Sequence, residues 1–273
     1  MIMKIGTDVY PAFTYCTNVT DVVVPGWQCE IPFNSVTNLV ISDGTLCISN
    51  SAFSGCSAIK SVTIPDGVKN IGNYAFYGCS SIESITIPSS VTNVDYYAFK
   101  DCKNLTNAVV MGAGLYHSTY SYGSSPFKGC SNIVSFSTMD TCAYMLYGCD
   151  RMKDVILIDG IKEVKAHTFH SCKWLTEIDI PNSVTNIGDW AFRGCDSLSS
   201  ITISDGVIKI GSDSFSGCSS LSSVSMSDSI KNIGSSAFYG CSSLVDIIGL
   251  PQCVCTSKFS KVFTDAYQTI TNI

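Results

Sequence analysis

Basic side chains are scarce in this chain. Sixteen Lys and Arg stand against twenty-two Asp and Glu, a formal net charge of −6. A protein that neutralises phosphates needs a basic face, so nucleic acid is not an expected partner, and anionic membrane surfaces are disfavoured for the same reason. Charged residues of both signs make up only 14% while apolar residues make up 45%, a balance that excludes a disordered chain and requires a buried core. No apolar run approaches the ~18 residues that span a bilayer, so no membrane insertion is expected. The opening residues MIMKIGTDVYPAF lack the apolar centre of a secretory signal, which leaves residence inside the cell, a signal already removed, or another export route. Histidine is rare as well, three in all, so no Ser-His-Asp order can be argued. Glycines occur singly rather than as a loop that cradles phosphate. Nothing supports catalysis, and no cofactor is expected.

What the sequence does have is a sentence repeated along its length. IGNYAFYGCSSIESITIPSSVTN at 71–93 returns as IGDWAFRGCDSLSSITISDGVIK at 187–209. Anchored on Ala-Phe-x-Gly-Cys, the cysteines fall at Cys56, Cys79, Cys102, Cys130, Cys149, Cys172, Cys195, Cys218 and Cys241, with steps of 23, 23, 28, 19, 23, 23, 23 and 23. Earlier copies are anchored at Cys16 and at Phe33, which occupies the cysteine slot. About eleven units then span residues 12–250, with irregular coils at 16–33 and 102–149. A period of this size and regularity is the mark of a solenoid, in which no unit buries its apolar face alone. Residues 1–11 read as a short N-terminal cap, too short to shield much. Residues 251–273 read as a C-terminal cap, where Phe259, Val262, Phe263 and Tyr267 follow a helical stripe.

The template converts into geometry. Pairs such as Ile85 and Ile87, or Ile201 and Ile203, are spaced by two and predict strands with one buried face; Pro25, Pro65, Pro88 and Pro181 end them by removing a ladder donor. A second pair, such as Val68 and Ile71, fits either a tight or an extended return. Gly72, Gly188, Gly211 and Gly234 then turn the chain, because a side chain would clash or φ must be positive. Phe76, Phe99, Phe169, Phe192, Phe215 and Phe238 are expected to stack inside, one ring per coil.

The motif AFxGCSSLxSITIPxSVxxIG resembles the BspA-like leucine-rich-repeat proteins over nearly the whole chain. The resemblance implies a curved right-handed leucine-rich-repeat solenoid with a parallel β-sheet on one face. It also implies a microbial surface or secreted protein that binds host proteins or other cells, hence an extracellular or cell-surface location.

Fifteen cysteines admit three readings: a disulfide framework, small buried hydrophobes donating weak S–H bonds to turn carbonyls, or metal ligands. The register of nine favours the second, because one thiol per coil points the same way as its neighbours and lacks the paired spacing of zinc sites. Cys29, Cys47 and Cys142 lie off the register, and Cys253 and Cys255 are left open between a cap disulfide and surface thiols. Many free thiols suit a reducing or anaerobic setting. His167 and His170 beside Cys172 read as turn residues rather than a metal site.

Two surface features are the candidate binding residues. The fifth and seventh residues after each ladder position face outward and are mostly small and hydroxylic, from Ser61 and Thr63 to Ser223 and Ser225. Asp154, Glu177 and Asp179 interrupt them on adjacent strands, an arrangement that repels and calls for a basic partner, a cation, or solvation aided by Lys153 and Lys173. The insertion GAGLYHSTYSYGSSP at 112–126 presents Tyr116, Tyr120 and Tyr122 among Ser and Gly, the composition of protein-binding loops. The expected function is a non-enzymatic module for a protein or glycan ligand, monomeric or weakly associated end to end; the alternative is a spacer within a larger surface assembly.

Overall fold

The computed structural model describes residues 2–4, 21–24, 36–112, 124–141, 145–146, 149, 151–152, 154–249, 251 and 262–263. It divides into two compact units, Met1–Phe136 and Ser137–Ile273, and in each the chain coils into stacked parallel strands.

In the first unit the strands Ile2–Lys4, Asp21–Val24, Asn38–Ile41 and Ser61–Thr63 form one parallel sheet, and Ser84–Ile87 pairs with Asn107–Val110. Period-two alternation explains why these segments are strands. Ile85 and Ile87 are buried while Ser84 and Thr86 face solvent, so one face joins the core and the other stays wet. Asp21 pairs with Asn38 and Asn38 with Ser61, so the short first unit keeps the register of its neighbours. Residues 2–4 add a strand to the sheet where the sequence promised little shielding.

The return path resolves as the extended alternative. Cys47–Ile48, Asn70–Ile71 and Asn93–Val94 form a second parallel ladder, burying Ile48, Ile71 and Val94. Hydrogen bonds between coils continue through the turns: the amide of Phe76 donates to the Ala98 carbonyl at 2.7 Å and that of Gly78 to Lys100 at 2.8 Å. Backbone groups that a loop would leave to water are thereby satisfied within the stack.

The glycines separate into two roles. Gly72 carries no unusual φ; a Cβ there would sit 2.7 Å from the backbone nitrogen of Asn50 in the preceding coil. Gly78, just before the cysteine, has φ +69°, and a Cβ there would meet only the Gly55 Cα at an ordinary 3.9 Å. The first is a close approach of two backbones and the second a left-handed turn.

Phe53, Phe76, Phe99 and Phe127 stack in the core with ring centroids 5.2–5.3 Å apart, and Phe127 meets Phe136 edge-on. All five rings are buried.

The second unit repeats the plan. Glu163–Val164, Asn186–Ile187, Lys209–Ile210 and Asn232–Ile233 form the return ladder, and Ser200–Thr202, Ser223–Ser225 and Asp246–Ile248 form a sheet. Phe169, Phe192, Phe215 and Phe238 stack at 5.1–5.2 Å. Leu146 takes the ring's place in the unit anchored at Cys149, whose amide donates to its carbonyl. At the other end Phe263 stacks on Phe238 at 5.0 Å, and the amide of Phe238 donates to the Val262 carbonyl. The final segment therefore supplies a rung of the core; Phe259, Tyr267, Cys253 and Cys255 lie outside the described residues.

Among the described residues the architecture is a β-solenoid of about eight turns with almost no helix, fewer than the eleven units counted in sequence. The sequence count includes units around Cys16 and Phe33 that fall largely outside the described residues.

Candidate functional site

Three features of the stack could carry chemistry: the thiol ladder, the outward strand face and the turn segment. Among the described residues ten cysteines are free, nine of them buried in the ladder and Cys47 exposed. Among the described residues, seven of the ladder thiols (Cys79, Cys102, Cys130, Cys172, Cys195, Cys218 and Cys241) donate to the carbonyl of the core residue of the preceding coil. Cys79 reaches Phe53 at 3.1 Å, Cys102 reaches Phe76 at 3.2 Å, Cys195 reaches Phe169 and Cys218 reaches Phe192 at 3.2 Å. Cys172 makes the long version, 3.8 Å to Leu146. Burial pushes the Cys56 and Cys241 thiols up to about 12. Cys102 is raised well above its ordinary value first by the Cys130 thiol beside it and then by burial. Such thiols stay protonated and inert. Their place is structural, as the register implied.

On the strand face of the first unit Ser61, Thr63, Ser84 and Thr86 are exposed, as expected. In the second unit Asp154 heads the strand Asp154–Leu157, and Glu177 and Asp179 are exposed in the next coil. The two coils do not pair as a ladder. Residues 177–180 form no strand and touch their neighbour through a single bridge, Ile156 to Asp179, which sets Asp154 and Glu177 side by side in register. Like charges held directly across a pair of strands oppose pairing, and the ladder is also interrupted between Ser61–Thr63 and Ser84–Ile87, where the outward residues are uncharged. The gap is a depression of about 380 Å³ lined by Asp154, Val155, Ile156, Glu177, Ile178 and Asp179. Its apolar part includes Ile156, 55% exposed. Lys153, invoked as a compensating charge, lies outside the described residues, as does residue stretch 113–123 with Tyr116, Tyr120 and Tyr122. His167 and His170 stand with ring centroids 5.8 Å apart on the turn, while the Cys172 thiol points inward to Leu146. Burial lowers both histidines from the ordinary value.

The turn segment carries a pattern that the sequence reading missed. The residue two before the core phenylalanine has positive φ in coil after coil: Ser51, Tyr74, Tyr97, His167, Trp190, Asp213 and Ser236, all between 52° and 59°. Short polar residues tolerate this conformation and bulky ones do not, at a cost of roughly 1–3 kcal/mol. Ser and Asp show that the fold needs no ring there. Yet Tyr74 stacks on Tyr97 at 5.1 Å and His167 on Trp190 at 4.7 Å. In the first unit Lys100 lies 5.0 Å from the Tyr77 ring centre and 5.5 Å from that of Tyr97, and Lys128 lies 5.8 Å from Tyr97. A ring pair contributes about 0.5–1.5 kcal/mol and an exposed cation over a ring about 0.5–1, so these contacts offset the backbone cost and little more. The signal available in the sequence was the alternation of aromatic and basic residues around each Ala-Phe: NYAFYG, YYAFKD, HTFH and DWAFRG.

The repeat profile of the BspA type leucine rich repeat region matches residues 29–145 and 139–261, in six copies. The chain belongs to the BspA-type leucine-rich-repeat family. Proteins of this family are generally binding modules without enzymatic activity, and its members are often surface proteins that bind other proteins. Solved structures similar to this BspA-type chain include a leucine-rich-repeat protein of Bacteroides ovatus, 24% identical over 100% of this chain and 91% of that one, with a TM-score of 0.39. Others are a leucine-rich-repeat protein of Eubacterium ventriosum (23% identical, 85% and 73% covered, TM-score 0.43) and a leucine rich cell surface protein of Faecalibacterium prausnitzii (22% identical, 97% and 90% covered, TM-score 0.35). A comparison with curated proteins returns no match. No helix among the described residues is long and apolar enough to cross a membrane.

Proposed function

We propose that this BspA-type chain is a non-enzymatic protein-binding module of a microbial cell surface, and that it receives a basic segment of its partner on the strand face of its second unit. The observation that carries this reading is the opened ladder between residues 154–157 and 177–180, where Asp154, Glu177 and Asp179 surround exposed Ile156 over a depression of about 380 Å³. An acidic rim steers a basic partner and selects against acidic ones, while Ile156 and the backbone groups left out of the ladder offer contacts that desolvate at little cost. The insertion with Tyr116, Tyr120 and Tyr122 is a separate candidate contact, on its composition of Tyr, Ser and Gly alone. The family's association with cell surfaces supports the location.

Capture from solubilised cell-envelope and host-cell extracts tests it. Glu177→Lys with Asp179→Lys, and separately deletion of 113–123, are expected to weaken capture of the parent's partner at least tenfold, about 1.4 kcal/mol, with the thermal midpoint nearly unchanged. Parent-like capture by both variants would remove the site.

A further inference from the structure

We propose a second binding surface, on the turn segment of the first unit, for an acidic polysaccharide: a carbohydrate chain bearing carboxylate or sulfate groups. It is built from Tyr74, Tyr77, Tyr97, Lys100 and Lys128 and shares no residue with the strand-face site.

The argument begins from what the turn requires. Positive φ is needed at the second residue before the phenylalanine, and Ser51, Asp213 and Ser236 meet that need with short polar side chains. Tyr74 and Tyr97 occupy the same backbone conformation with phenol rings, in consecutive coils, where the stack repeats at 5.1 Å. Ser51 occupies the equivalent position one coil before Tyr74, so the aromatic column stops there, and Tyr74 remains 38% exposed. A ring-shaped ligand set against Tyr74 continues the column over Ser51.

The charge around the rings selects the kind of ring. Lys100 and Lys128 both approach Tyr97. Lys100 has a carboxylate at 3.6 Å, from its neighbour Asp101, and among the described residues Lys128 forms no ion pair. A chain with an overall charge of −6 thus gathers two ammonium groups around stacked phenols on this segment. Sugar rings present C–H faces to aromatic side chains and hydroxyls to phenol oxygens, and acidic substituents answer the ammonium groups as charge-assisted bonds. A neutral sugar leaves the lysines unanswered, and an acidic peptide lacks the sugar ring whose C–H face continues the column.

The test uses the full chain over immobilised polygalacturonate, dextran sulfate, neutral dextran and polyglutamate at about 0.15 M salt. At least one of the two anionic polysaccharides is expected to bind about tenfold or more tightly than dextran and polyglutamate, and which one binds separates carboxylate from sulfate recognition. Tyr74→Ser with Tyr97→Ser, and separately Lys100→Gln with Lys128→Gln, are each expected to weaken that binding about tenfold or more. Serine is the residue the fold itself uses at these turns, and the lysine pair decides if the tyrosine variant melts early. Glu177→Lys with Asp179→Lys leaves this binding unchanged, which separates the surface from the strand-face site. Failure to bind either anionic polysaccharide, equal binding of polyglutamate, or a folded tyrosine variant that binds like the parent overturns the proposal.

Discussion

The thiol of Cys195 donates to the main-chain carbonyl of Phe169 across 3.2 Å, and the same oxygen accepts the amide of Cys172 at 3.1 Å. One carbonyl thus joins a turn to the coil that follows it. The same pair of donors meets Phe53, through the Cys56 amide and the Cys79 thiol, and Phe192, through the Cys195 amide and the Cys218 thiol. The motif cysteines that make this bond are therefore donors between coils as well as small hydrophobes, and they perform that role only while they keep their protons.

Burial should shield the ladder from thiol reagents. Iodoacetamide labelling of the native chain followed by peptide mapping is expected to modify Cys47 and to leave Cys79, Cys102, Cys195 and Cys218 unmodified until denaturant is added. Rapid native labelling of any of these four would show that the coils open locally or that the thiols are not sealed.

The same protons make the fold sensitive to alkali. In the unfolded chain these thiols ionise from their ordinary value of 9.0, whereas folded Cys56 and Cys241 hold their protons up to about 12. Between those values the unfolded state binds fewer protons than the folded state, so stability declines as pH rises. The thiol contribution is complete below pH 9 and is lost progressively toward pH 12. Urea midpoints measured from about pH 8 to about pH 11 should fall, and Cys56→Ala with Cys241→Ala should flatten the slope even as it lowers the plateau. An identical slope in the variant would assign the loss to other groups.

Two glycines in one coil should respond differently to alanine. At Gly72 a methyl group meets the backbone of residues 49–50, which cannot rotate away, so the stack must separate locally at a cost of about 2 kcal/mol or more. At Gly78 a methyl group meets only ordinary contact with the Gly55 Cα at 3.9 Å, and only the positive φ is strained, worth about 1 kcal/mol. Calorimetry of Gly72→Ala and Gly78→Ala is expected to rank the first as the more destabilising, and the reverse order would contradict close backbone approach as the reason for Gly72.

Much of this was legible in the chain. The spacing of Ile85 from Ile87 marked a half-buried strand, Pro88 marked its end, and the interval from Phe192 to Phe215 marked consecutive rungs of one core. These are local patterns with a fixed period, and stacking identical units only repeats them. The acidic trio was legible as composition but not as structure. Asp154, Glu177 and Asp179 read as neighbours on paired strands, yet the pairing is reduced to the bridge between Ile156 and Asp179, because whether a ladder closes depends on contacts between segments a coil apart that neither segment contains alone. The paired tyrosines of the turn carry no pattern of their own in the repeat, and it is the stacking of Tyr74 on Tyr97 across one coil that brings them together.

The sequence by itself determined the repeat, the alternation of buried and exposed residues, and which side chains line the interior, since a period of 23 with apolar residues at fixed offsets can bury its faces only by stacking. Tertiary structure decided the rest. It chose the extended return, placed seven of the ladder thiols on carbonyls of the preceding coil, drew Phe263 into the ladder and held Tyr74 and Tyr97 at positive φ. Each of these depends on contact between residues a full coil apart, and the strength of such a contact is fixed by distance and direction, which a one-dimensional pattern does not contain.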